Sequence, residues 1–100
     1  MEPQANFLYA FGENGDATGT MARPKGVATD SKGNIYVADA LFHVVQIFDA
    51  TGNFLYSFGR QGQGKGEFWM PAGIYIDEQD LIYVADSYNA RIQIFQLEKK

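Results

Sequence analysis

The chain repeats itself. Asn34-Ile35-Tyr36-Val37-Ala38-Asp39 returns as Leu81-Ile82-Tyr83-Val84-Ala85-Asp86, 47 residues later. Each copy alternates bulky and smaller side chains, is rich in β-branched and aromatic residues, and ends on Asp, which is how a half-buried strand reads as it enters a polar turn. With the two copies superimposed, everything else falls into register without a gap. Phe7-Leu8-Tyr9-Ala10-Phe11-Gly12 returns as Phe54-Leu55-Tyr56-Ser57-Phe58-Gly59. Gly12, Gly15 and Gly19 match Gly59, Gly62 and Gly66, while Met21 matches Phe68 and Pro24 matches Pro71. A repeat of this length confines the chain to a stacked or radial repeat architecture.

Within each repeat the pattern is a succession of short strands. A strand is predicted over Val27-Ala28-Thr29-Asp30, and again over Ile74-Tyr75-Ile76-Asp77. Asp30-Ser31-Lys32-Gly33-Asn34 is a hairpin turn signal, and its counterpart Asp77-Glu78-Gln79-Asp80-Leu81 keeps the first Asp but loses the glycine. The Tyr-Val-Ala-Asp strand follows, then a short loop and a third strand, Val44 to Phe48 or Arg91 to Phe95. In the first repeat Asp49-Ala50-Thr51-Gly52-Asn53 turns into a fourth strand, Phe54 to Phe58. No segment of ten or more residues carries a helical period. An aromatic content of 15% suits flat rings packed on pleated sheets. The expected fold class is all-β, in four-stranded propeller blades, about two per chain. The single unit divides into a fourth-strand segment at 6–12, a first blade at 21–59, and a second blade at 68–97 that lacks its fourth strand.

Charge and composition exclude several functions. A net charge of −4 offers no overall positive field to a phosphate backbone. With no cysteine there is neither a disulfide nor a thiolate metal site. No stretch approaches the roughly 18 apolar residues of a spanning helix, and Met1 to Asn6 does not read as a signal peptide. The expectation is a soluble chain without membrane contact, in a compartment the residues do not specify.

Pro71-Ala72-Gly73-Ile74, Ile82-Tyr83-Val84-Ala85-Asp86, and Asn89, Arg91, Ile92, Gln93 and Phe95 together resemble the NHL repeat, with Gly62, Gly64, Gly66 and Phe68 matching its linker. The first repeat departs from that pattern, since Phe42 and Val44 stand where the family prefers Asn and Arg. The resemblance implies a six-bladed β-propeller. One branch, the peptidylglycine amidating lyases, carries metal-binding histidines. Other members bind single-stranded RNA through basic surfaces, which the acidic charge here argues against.

Two blades alone would leave apolar sheet faces uncovered, and repeat units bury a core only by stacking. The expected assembly is therefore a homotrimer in head-to-tail contact, in which the strand at 6–12 completes the last blade of a neighbour. Four chains, or a piece of a longer propeller, are the alternatives.

His43 is the sole histidine and reads as a loop residue rather than a metal ligand. Asp30, Asp39, Asp77 and Asp86 recur at the repeat period and read as turn-forming carboxylates that accept backbone amides. The run from Gly59 to Gly66 lacks the strand-to-helix context of a phosphate loop and reads as an inter-blade linker. Trp69 and Met70 have Ala22 and Arg23 as counterparts, so the repeat does not demand them. With Arg23, Phe42, His43, Tyr88 and Arg91 they form the candidate binding set on the top face, suited to a protein or peptide. The expected function is a non-enzymatic oligomeric scaffold or binding module, without cofactor or metal, of a length that also suits an engineered or reconstructed propeller fragment. The alternatives are a protein- or peptide-binding NHL domain, or a metal-dependent lyase or hydrolase of the NHL-propeller type.

Overall fold

The computed structural model describes residues 24–97. The expected strand at 6–12 and Arg23 lie outside these residues. The described chain forms two antiparallel sheets. The first contains β1 (Pro24–Thr29), β2 (Ile35–Asp39), β3 (Val44–Phe48) and β4 (Phe54–Phe58) in that spatial order. The second contains β5 (Pro71–Ile76), β6 (Ile82–Asp86) and β7 (Arg91–Phe95), again in sequence order. One 3₁₀ turn, Ser87–Asn89, joins β6 to β7. This meander is the architecture of successive propeller blades.

The inner strands begin earlier than the sequence pattern predicts. β1 and β5 open on Pro24 and Pro71 rather than on Val27 and Ile74. A proline is tolerated as the first residue of a strand, where its missing N–H removes no ladder bond. The register shifts between Pro24 and Gly26, and again between Pro71 and Gly73, so a bulge absorbs the irregularity in both blades.

The turns follow one design three times. Asp30 Oδ1 accepts the amides of Lys32 and Asn34, Asp49 Oδ1 those of Thr51 and Asn53, and Asp77 Oδ1 those of Gln79 and Leu81. Short carboxylate side chains compete here with ladder bonding and close the hairpin. Where the first blade uses Gly33 at φ 85°, the second uses Asp80 at φ 62°. Asp is among the few residues that enter the left-handed region at modest cost. Its carboxylate then does something glycine cannot, accepting Ser31 N at 2.9 Å and Ser31 Oγ at 2.6 Å from the neighbouring blade.

The core lies between the blades. Directly opposed pairs place Ala28, Tyr36 and Ile47 on one face of the first sheet, with Ala38 and Val45 beside them. That face buries Tyr36, Val45 and Ile47 against Ile82 and Val84 of the second sheet, with Ile74, Ile76, Phe95 and Leu97 packed around them. Phe58, Phe68 and Phe95 close one end of this layer, with ring centroids 5.0 to 6.2 Å apart. The innermost strands approach closely, so that a Cβ on Gly26 would come within 2.7 Å of the Ala72 carbonyl oxygen.

Each blade thus has two apolar faces, and only one face of each meets the other blade. Tyr75, Tyr83 and Ile94 oppose one another on the outward face of the second sheet, with Ile92 beside them. Tyr75, Ile92 and Ile94 are exposed. Their counterparts 47 residues earlier are Ala28, Val45 and Ile47, residues of the face that the first blade buries.

Candidate functional site

The linker from Gly59 to Met70 is built by its own backbone and then fastened to the second blade. Phe68 N donates to the Arg60 carbonyl at 2.7 Å and Gly62 N to the Phe68 carbonyl at 2.9 Å. Glu67 accepts the Gly64 amide through Oε1 and pairs with Arg60 Nε through Oε2 at 2.8 Å. The Gly64 amide first, and Arg60 with it, hold the Glu67 carboxyl below its usual range. Gly66 N donates to Gln93 Oε1. With these amides engaged internally and a carboxylate seated among them, the glycine-rich loop is a linker and not an anion cradle.

Asp86 is the anchor for this linker. Fully buried, it accepts the Trp69 amide at 2.7 Å on Oδ1, and Asn89 Nδ2 and Arg91 Nε on Oδ2 at 2.9 and 2.8 Å. Burial by itself raises its pKa, but the Trp69 amide, the Asn89 amide and the Arg91 guanidinium outweigh it and leave the carboxyl below its ordinary value. Arg91 Nη2 goes on to the carbonyls of Gly64 and Glu67, and Asn89 to that of Gly62. The Arg91 guanidinium therefore ties the linker to β6 and β7. Placed among the binding candidates by sequence, it is geometrically a positioning residue.

This fastening brings three rings together. Trp69 stacks on Tyr88 with centroids 6.0 Å apart and planes at 18°, and the Tyr88 amide donates to the Trp69 carbonyl at 3.1 Å. His43 meets Trp69 edge-on at 6.1 Å, and its Nδ1 accepts the Met70 amide at 2.9 Å. His43 and Met70 both take positive φ, 59° and 54°, to make this contact. Nδ1 is thereby engaged as an acceptor. Only Nε2 remains to meet a ligand. Tyr88 is 72% exposed, with Met70 and Leu41 also at the surface. Phe42 lies half-buried beside the cluster, its amide donating to Asp39 Oδ1.

Of the residues picked out by sequence, the structure brings His43, Trp69, Met70 and Tyr88 into one patch. Phe42 stands at its margin and Arg91 beneath the linker. Leu41, exposed on the same loop, carried no sequence signal beyond being apolar in a turn. Among the described residues no group of three or more His, Asp or Glu is placed to hold a metal ion.

A second concavity, a cleft of about 240 Å³, opens between the blades at the turn end, lined by Asp30, Tyr36, Tyr56, Asp80 and Leu97. The Asp30 carboxylate in its wall is engaged by the Lys32 and Asn34 amides, by Asn34 Nδ2 and by the Tyr36 hydroxyl. Burial first, and then this bond to Asp30, push the Tyr36 pKa well above its ordinary value. The two carboxylates of the cleft, Asp30 and Asp80, are thus engaged by the protein's own turn donors.

Comparison with known proteins agrees with the architecture. Protein lin-41 of Caenorhabditis elegans is 42% identical over 45 residues, which is 45% of this chain and 4% of that protein's length. The chain therefore spans only a small part of that relative. The family DUF5128, described as a 6-bladed beta-propeller, matches residues 26–100. With two successive blades in the fold and a family match over three quarters of its length, the chain belongs to this β-propeller family.

Proposed function

We propose that the chain supplies two blades of a closed six-bladed ring made from three copies, and that the ring is a non-catalytic scaffold and binding module. One observation carries this reading. The outward face of the second blade repeats, position for position, the face that the first blade buries: Ile92 is 65% exposed where its counterpart Val45 is 0%. A sheet face of that composition is covered in a stable propeller by the next blade. The first blade carries the matching residues, since Val27, Ile35 and Phe48 are the counterparts of Ile74, Ile82 and Phe95, and Val27 among them is exposed. Head-to-tail contact between copies thus reproduces the internal contact, and such a contact closes into a ring when its rotation allows. Six blades is the number in the matching family.

Strand exchange completes the proposal. Among the described residues β7 has β6 as its sole sheet neighbour, and Phe7 to Phe11 repeats β4. In our reading that segment of one copy pairs with β7 of the next, and the repeat is of NHL type. Light scattering on a sizing column tests the assembly. Three copies of an 11.1 kDa chain give a mass near 33 kDa, whereas a stable species of one-chain mass would overturn it. Deleting residues 1–12 should abolish the ring, and an unchanged mass would remove strand exchange from the account.

A peptide-contact role for the top face is favoured by the stacked pair Trp69 and Tyr88, an exposed aromatic surface held rigid by backbone bonds. Its test is peptide-array binding that is insensitive to salt and lost in Trp69→Ala. Binding retained by that variant would place the contact elsewhere.

A further inference from the structure

The two kinds of junction in such a ring differ in one place, and the difference is chemical. Inside the chain, the turn between β1 and β2 meets the turn between β5 and β6 through Ser31, whose amide and hydroxyl both donate to the Asp80 carboxylate. Between copies, the second blade's turn takes the place of the first. By the 47-residue register, Glu78 then stands where Ser31 stands, and Gly33 of the next copy stands where Asp80 stands. The serine–aspartate contact cannot form at that junction, because Gly33 has no side chain. The residue beside it does. Lys32, the counterpart of Gln79, lies next to Gly33 on that turn.

We propose that Glu78 of one copy and Lys32 of the next form an ion pair across each inter-chain junction, replacing the Ser31–Asp80 contact. This rests on the ring reading above. Three observations support it. Both residues are exposed within one chain, and neither enters an ion pair among the described residues. Asp80 at the internal junction fixes the distance between facing turns at direct hydrogen-bond contact, 2.6 to 2.9 Å. A glutamate reaching past a glycine to a lysine one residue away spans the same gap with side chains long enough to meet. Opposite charges at this one position also direct assembly, because the second blade's turn then favours a first-blade turn over another copy of itself.

The experiment is a charge exchange, read by light scattering over a dilution series at low and high salt. Glu78→Lys alone, or Lys32→Glu alone, places like charges across all three inter-chain junctions. A roughly fivefold loss at each junction, the upper range for an exposed pair, moves the midpoint concentration of trimer formation about tenfold upward. The double exchange E78K/K32E restores opposite charges and should return the midpoint to that of the parent. High salt should narrow the differences among all four proteins. A trimeric parent whose midpoint is unmoved by the single exchanges, or not recovered by the double one, overturns the ion pair and leaves the ring. A parent of one-chain mass at every concentration overturns both.

Discussion

Ile47 and Ile94 hold the same position in successive blades, yet Ile47 is 1% exposed and Ile94 57%. The first packs in the layer between the sheets with Tyr36 and Tyr56 on its flanks, whereas the second is flanked by Tyr83 alone and has no sheet in front of it among the described residues. Residue type is identical, so the difference comes from what stacks on each face and from the fourth strand that flanks Ile47 and not Ile94.

Substitution at the two positions should therefore separate. Ile47→Ala deletes buried atoms and leaves a cavity, which costs about 2–5 kcal/mol of folding stability. Ile94→Asp trims only its flank on Tyr83 within the chain but places a charge on the face that a second copy would cover. Its expected outcome is a folded chain by circular dichroism with the trimer lost by light scattering. A trimer that survives I94D would show that this face is not the junction.

The glycines of the innermost strands make the same distinction by sterics. A Cβ at Gly26 would sit 2.7 Å from the Ala72 carbonyl oxygen, which backbone cannot easily vacate. Gly26→Ala should destabilise the chain by about 1–3 kcal/mol, measured by urea unfolding. Gly73 is its counterpart, and a Cβ there meets only the Ala85 Cβ at an ordinary 3.5 Å. Gly73→Ala is expected to spare the stability of the single chain and weaken the association of copies.

The blade architecture was legible because repetition at 47 residues aligns every strand and turn, and because Asp30, Asp49 and Asp77 announce their hairpins. The start of the inner strands was not legible. Proline reads as a break in a strand pattern, and only the bulge after Pro24 and Pro71 reveals that pairing already begins there. Asp80 was visible as a lost glycine, but its bond to Ser31 depends on the approach of turns 49 residues apart. The meeting of His43, Trp69 and Tyr88 lay beyond periodicity altogether. It requires the linker to be folded back onto the β6–β7 loop by Arg91 and Asn89, whose carbonyl partners no pattern of side chains encodes.

That fastening predicts the effect of Arg91→Ala. The change removes donors to the Asp86 carboxylate and to the Gly64 and Glu67 carbonyls, leaving a buried carboxylate short of its counter-charge. The expected loss is about 3–5 kcal/mol, seen as a lower urea midpoint. Arg91→Lys should recover little, because an ammonium cannot span three acceptors with the geometry of a guanidinium.

The carboxylates set the direction of the pH dependence. Asp49 is lowered to about 2 by the Asn53 amide first and then its side chain, and Asp77 is lowered chiefly by the Leu81 amide. Asp86 and Glu67 are lowered as well. For each, the folded pKa lies below the unfolded one, so the unfolded chain binds more protons as the solution is acidified. Their stabilisation is complete above the unfolded carboxylate range, near pH 5, and is lost as pH falls through the folded values. Thermal unfolding should show a plateau from about pH 5 to 7 and a steady fall toward pH 2. Asp49→Asn should weaken that slope, and an acid limb identical to the parent's would exclude Asp49 from it.

Trp69 is the only tryptophan, so intrinsic fluorescence reports directly on the aromatic patch. Its ring is half-buried between Tyr88 on one face and the edge of His43. Tyr88→Ala uncovers the stacked face to water and should shift the emission to longer wavelength. The stability cost should be about 0.5–1.5 kcal/mol, the range for an aromatic pair beyond its buried area, because Tyr88 is itself mostly exposed. His43→Ala acts differently, leaving the Met70 amide without its acceptor while Met70 is held at positive φ. The expected outcome is a looser linker, with faster amide exchange at Met70 and a smaller spectral shift than Tyr88→Ala. Equal red shifts in both variants would mean that the imidazole, and not the backbone bonds of the linker, holds Trp69 in place.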